Sequence, residues 1–124
     1  MSSDVFVFLA RDRAPSDTDV QHAVSSMDGV YVELNVPQSD LSLDETTTSY
    51  AASIIGPFRI DVITYRGGNL GSVADLLDDF YSDVPALADT DSDGIFTIPE
   101  LVALLRASPL ASFHPWADPS KRQS

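Results

Sequence analysis

The chain has no cysteine. That excludes a disulfide, a thiolate metal site and a cysteine nucleophile. Basic residues are almost as scarce, with seven Lys and Arg against nineteen Asp and Glu and a formal net charge of −12. Lys121 is the sole lysine. So few cations cannot neutralise a run of phosphates, so nucleic acid is not an expected partner. An anionic membrane surface is disfavoured for the same reason. The charge does admit cations and basic proteins, and an Asp-rich, Lys-poor surface also suits solubility in high salt. Long apolar runs are missing as well, and no stretch approaches the ~20 residues of a membrane span. The run Val5–Ala10 is too short for a signal peptide and follows Asp4 rather than a basic region. The expectation is a soluble protein without a signal peptide, cytoplasmic or part of an assembled particle. Histidine is sparse too. His22 and His114 have no spacing to a nucleophile and read as surface residues. Arg66-Gly67-Gly68-Asn69-Leu70-Gly71-Ser72 is glycine-rich but lacks the P-loop lysine and the dinucleotide spacing, and reads as a turn.

What is present suffices for a core: 124 residues, 44% of them hydrophobic, make about one domain. Val5-Phe6-Val7-Phe8-Leu9-Ala10 reads as a central strand covered on both faces. Ser16 caps a helix that carries Val20, Ala23, Val24 and Met27 at helical spacing and ends at Asp28-Gly29. Val30, Val32, Leu34 and Val36 alternate with polar partners as a half-exposed strand, stopped by Pro37. Gln38–Ser49 is polar and reads as an exposed loop. Tyr50–Ile55, Gly56-Pro57 and Phe58–Tyr65 read as a hairpin whose second arm sets Phe58, Ile60 and Val62 against Arg59 and Asp61. A further helix places Val73, Leu76, Leu77, Phe80 and Val84 on one face and Asp75, Asp78, Asp79 and Asp83 on the other. The order β-α-β-β-β-α, followed by a loop and a last helix with Ile98, Leu101, Val102 and Leu105, predicts an α+β fold. The simplest packing is a split β-α-β sheet with helices on one face. Residues 1–107 form the domain, with the loop 89–100 as a C-terminal elaboration. Residues 108–124, containing Pro109, Pro115 and Pro119, form a Pro-rich tail.

One constellation carries chemistry. Asp89-Thr90-Asp91-Ser92-Asp93-Gly94-Ile95-Phe96-Thr97-Ile98-Pro99-Glu100 places three acids at alternate positions, then a glycine, and an acid at the twelfth. Carboxylates this close repel one another unless a cation offsets them. Thr97 followed three residues later by Glu100 has the form of a capping box, with Pro99 in the first helical turn where its missing N–H costs little. The segment Asp89–Arg106 resembles the loop and exiting helix of calmodulin-type EF-hand proteins. The resemblance implies one Ca²⁺ bound through the side chains of Asp89, Asp91 and Asp93, the carbonyl of Ile95, Thr97 directly or through water, and both carboxylate oxygens of Glu100. Gly94 would give the sharp turn and Phe96 would pack inward. Calcium is expected over magnesium, and as a fixed structural ion rather than a sensor.

The segment departs from the family in two ways. Pro85 interrupts what would be the entering helix, so the entering arm is expected to be broken or shifted. Asp40–Ala51 offers no second loop, so the site must lean on the rest of the domain, on a partner or on a copy of itself. With no catalytic set in view, the expected function is non-enzymatic: a calcium-binding subunit acting through protein–protein contacts or self-association in a larger assembly. Phe113 and Trp116 are candidate anchors. The alternative is a small acidic inhibitor or immunity-type protein that covers a basic enzyme.

Overall fold

A computed structural model describes residues 2–41, 43, 45–66, 69–90 and 95–107. The apolar N-terminal run forms strand β1 (Ser2–Ala10), followed by helix α1 (Asp17–Ser25), strand β2 (Val30–Glu33), helix α2 (Glu45–Ile55) and strand β3 (Phe58–Arg66). Helix α3 (Leu70–Phe80), strands β4 (Ala86–Thr90) and β5 (Ile95–Thr97) and helix α4 (Ile98–Ala107) complete it. The strands make one sheet in the order β2-β3-β1-β4-β5, with every neighbouring pair antiparallel. The class is α+β, as expected. The most apolar strand takes the middle place: β1 runs beside β3 from Ser2↔Arg66 to Ala10↔Phe58 and beside β4 from Val5↔Thr90 to Leu9↔Ala86.

Alternation along β1 sends its side chains into two cores. Val5, Val7 and Leu9 join Val20 and Val24 of α1, Val73, Leu76 and Leu77 of α3, and Leu101 and Leu105 of α4. Phe8 joins Ile60, Val62, Leu87 and Ala51 of α2 on the opposite face. Its ring meets Phe58 edge-on at 5.3 Å between centroids and 89° between planes. Among the described residues, three helices therefore cover one face and α2 lies on the other, which corrects the expectation that all helices share a face.

The second correction explains the first. Tyr50–Ile55 is not a strand, and the hairpin with Phe58–Tyr65 does not form. The segment is the C-terminal half of α2, whose inward residues Thr48 and Ala51 are buried. Their helical spacing was masked because a threonine holds one of the inward positions. The stretch read as an open loop, Gln38–Ser49, holds a 3₁₀ turn at Gln38–Asp40 and the first turns of α2. Gly56, at φ +76°, closes α2 and turns the chain into β3.

The third correction concerns β3. Arg59 and Asp61 do not form a solvated face: Asp61 is fully buried. Ile63 and Tyr65, on the same side of the strand, are core residues under α1 and α3. The segments on either side of the calcium-type loop are strands of the sheet itself, β4 before it and β5 at its end.

Two readings of helix α1 hold, while β2 stops at Glu33, short of Val36, and α3 at Phe80, short of Val84. Ser16 Oγ accepts from the Asp19 N–H at 3.4 Å, and Gly29, at φ +76°, ends the turn after α1. A contact that the sequence did not announce joins the last two helices, Arg106 of α4 donating to Asp75 at 3.0 Å. Among the described residues no helix is long and apolar enough to cross a membrane.

Phe8 is the largest residue of the smaller core and has no polar compensation there. Replacing it with Ala is expected to cost about 3–5 kcal/mol in a denaturant unfolding experiment, as a buried Phe truncation does. A loss under about 1 kcal/mol would show that α2 does not seal that face.

Candidate metal centre

The residues of the calcium-type loop fall on three consecutive pieces of structure. Asp89, half-buried, is near the end of β4. Ile95 opens β5, and the β4–β5 ladder runs Leu87↔Thr97, Ala88↔Phe96 and Asp89↔Ile95. The first and seventh loop positions therefore stand opposite each other. Phe96 points into the larger core, which seats the hairpin and fixes the exit of the chain from β5. Strand β5 ends at Thr97 and α4 begins at the next residue.

The ninth and twelfth positions meet at this exit. The Thr97 N–H donates to Glu100 Oε1 at 2.9 Å, the Thr97 hydroxyl donates to the same oxygen at 3.0 Å, and the Glu100 N–H donates to Thr97 Oγ1 at 3.3 Å. This is the reciprocal capping box that the spacing of the two residues predicts. It holds an exposed carboxylate at the N-terminus of α4, where negative charge suits the helix dipole.

Asp91, Asp93 and Gly94 lie outside the described residues, as do Phe113 and Trp116. Among the described residues no group of three or more His, Asp or Glu side chains gathers closely enough to hold a metal ion. Of the four expected carboxylate ligands, the described structure thus carries Asp89 and Glu100. The entering arm is strand β4, which agrees with an entry shifted by Pro85. A calmodulin-type pair of helices does not flank the loop.

A second polar site was not anticipated. Asp61 accepts three hydrogen bonds and sits against a further guanidinium nitrogen. Oδ1 takes the Asn35 N–H at 2.9 Å and faces Arg59 Nε at 3.0 Å. Oδ2 takes Arg59 Nη2 at 3.1 Å and the Tyr81 hydroxyl at 2.8 Å. The remaining arm of Arg59, Nη1, reaches Asp17 of α1 at 3.0 Å. Burial lowers the Arg59 pKa, but the charges and hydrogen bonds of Asp61 and Asp17 outweigh it and leave it raised. Burial, then the adjacent Asp61 charge, pushes Tyr81 far above the ordinary tyrosine value. Three hydrogen bonds and the adjacent guanidinium charge hold the buried Asp61 carboxylate. The constellation ties β3 to α1, to the turn after α3 and to the segment after β2.

The sequence carried one signal for it, an Arg-x-Asp pair inside a strand otherwise made of Ile, Val and Tyr. Strict alternation disguised it as a wet face. A shallow cleft of about 270 Å³ opens beside the network, between Arg11, Asn35, Gln38 and Arg59. Another, of about 410 Å³, lies between Arg11, Asp12, Ile55 and Pro57.

Compared with protein-family models, curated proteins and solved structures, the chain finds no match among any of them.

Tyr81 gives the network a pH signature. A tyrosine whose folded-state pKa is raised keeps its proton in the native state while the unfolded state ionises. Stability is therefore flat below the ordinary value of about 10 and falls by up to about 1.4 kcal/mol per pH unit above it. Tyr81→Phe is expected to cost about 1–3 kcal/mol at neutral pH, because Asp61 loses a donor. It should also flatten the alkaline fall. Urea unfolding of both proteins from pH 8 to 11 reads this, and parallel curves would mean that Tyr81 does not hold the proton.

Proposed function

We propose that this chain is a non-enzymatic calcium-binding protein with one structural ion at the junction of β4, β5 and α4. The observation that carries the reading is the exit geometry: a carboxylate held by Thr97 at the N-terminus of α4, directly after a hairpin that sets Asp89 opposite Ile95. The donor set suits a hard cation, which takes six to eight oxygens. Asp89, Asp91, Asp93 and Glu100 would supply carboxylates, Ile95 its carbonyl, and Thr97 its hydroxyl directly or through water. The calcium would neutralise charge that the loop otherwise concentrates in a chain already at −12.

A fixed ion suits this setting better than a sensor. An EF-hand sensor works by swinging two helices apart. Here the entering arm is a strand laddered to β1 on one side and β5 on the other, which resists such a swing. The work of the protein is then contact with other proteins as a subunit of a larger assembly. Phe113 and Trp116 are the proposed anchors on the tail that follows α4.

Calorimetric titration of metal-stripped protein is expected to show one calcium site per chain. Glu100→Gln should weaken it by at least about tenfold, since losing one charged bidentate ligand forfeits more than about 1.4 kcal/mol. Equal affinity in the variant would defeat the assignment.

Calcium is also expected to stabilise the fold by about 2.7 kcal/mol at a hundredfold excess over its Kd. Hydrogen exchange after chelation should show protection lost first in Leu101–Arg106, with Val5–Ala10 still protected. The reverse order would mean that the ion secures the sheet rather than its exit helix.

A further inference from the structure

Asp4 puts a charge in the central strand of the sheet, and the strand register gives that charge a neighbour. Strand β1 pairs Asp4 with Thr64 of β3 and Phe6 with Asp89 of β4. Phe6 and Phe8 face the smaller core, as do Leu87 of β4 and Ile95 of β5. By alternation Asp4 and Asp89 lie on that same face. Asp4 is two residues from the partner of Asp89, so the two acids are diagonal neighbours on adjacent strands, about 7–8 Å apart. Both are half-buried. The Thr64 hydroxyl donates to Asp4 Oδ1 at 2.7 Å, which orients that carboxylate. Arg66, the basic residue diagonal to Asp4, stands on β3, across β1 from Asp89.

Asp4 is outside the twelve-residue pattern of the calcium-type loop, and only the pairing of β1 with β4 brings it beside the first position of that loop. Two half-buried carboxylates this close repel each other. A divalent cation held at Asp89 reverses the sign, because Asp4 then faces a net positive neighbour. At about 8 Å, and even at the dielectric of water, the attraction between a double positive charge and a carboxylate changes an equilibrium constant by about fivefold.

We propose that Asp4 strengthens calcium binding through space: its charge, carried on β1, deepens the potential at Asp89 without being one of the loop's own ligands. The inference rests on the calcium reading above and extends it from the loop to the central strand. The site then reaches full strength only in the folded sheet, where β1 and β4 are paired.

The test is calorimetric titration of the metal-stripped full chain with calcium chloride. It is run at about 10 mM and at about 0.5 M monovalent salt, where charge reaches about 30 Å and about 4 Å respectively. Asp4→Asn removes the charge and keeps an oxygen acceptor for Thr64, so its circular dichroism spectrum should match the parent's. Its calcium affinity is expected to be about three- to fivefold weaker at low salt, with the ratio to the parent approaching one at high salt. Asp4→Glu keeps the charge and should bind within about twofold of the parent. Asp12→Asn is the control for net charge. Asp12 is exposed beyond the opposite end of β1, and its loss should shift low-salt affinity by less than about twofold. Unchanged affinity in Asp4→Asn overturns the proposal, and so does an equal loss in Asp12→Asn. A deficit in Asp4→Asn that persists undiminished in high salt also overturns it, because it would make Asp4 a direct ligand. In those three outcomes the parent still binds one calcium and the calcium reading stands. A parent that binds none overturns both.

Discussion

Asp61 carries a carboxylate into the helical face of the sheet, and its four contacts gather parts of the chain that the ladders alone do not fix. Taking such an ion out of water costs several kcal/mol, which only close and complete pairing offsets. Arg59 supplies one hydrogen bond through Nη2 and a close positive charge from the same strand. Tyr81 supplies a hydroxyl from the end of α3, and the Asn35 backbone supplies an N–H from the segment after β2. Through Arg59 the same charge reaches Asp17 in the first turn of α1. The Asn35 contact also explains a local oddity. Asn35 adopts φ +51°, a left-handed conformation that asparagine tolerates better than most residues. That bend lets the Val36 N–H reach the Ile60 carbonyl at 2.7 Å and leads the chain over toward α2.

With that end of the sheet fixed, the other edge is free to hold the candidate metal centre. Phe96 anchors the hairpin in the core, Thr97 stops the strand and caps α4, and Leu101 and Leu105 press α4 onto α3. Arg106 adds a bridge to Asp75 and Asp78 on the exposed side. Exposed pairs of this kind contribute little to stability, but these partly relieve the crowding of acids along α3. The carboxylate at Glu100 is thus placed by packing and capping.

Much of the architecture was legible because burial and period agreed. The N-terminal run is apolar at every position, and only a strand with both faces covered uses such a sequence. Helices α1, α3 and α4 each carry an unbroken apolar stripe, and Thr97 with Glu100 announced the cap. Legibility failed where a polar residue held an inward position. Thr48 broke the inward stripe of α2, so the β-branched end of that helix looked like a strand. Asp61 sat in a clean alternation that usually means solvent, and its burial depends on Arg59, Tyr81 and Asn35, partners that a local pattern does not reveal. Pairing of β4 with β1 was invisible for the same reason, since it joins Ala86–Thr90 to residues near the start of the chain. The metal reading came from a short twelve-residue pattern, and the hairpin that frames it could not be seen in that pattern.

The order in which the strands are made has a consequence of its own. Strand β1 lies between β3 and β4, and both follow it by a long stretch of chain: Leu9 pairs with Arg59 and with Ala86. At a synthesis rate of roughly 5–20 residues per second, β1 waits for several seconds before both neighbours exist. Until β3 is made, Val5–Ala10, the most apolar segment of the chain, has no ladder partner. Asp4 just before it and Arg11, Asp12 and Arg13 just after it place charges at both ends of the waiting strand, where they oppose its stacking with other nascent chains. The central strand is therefore made first and paired late, and those flanking charges protect it during translation.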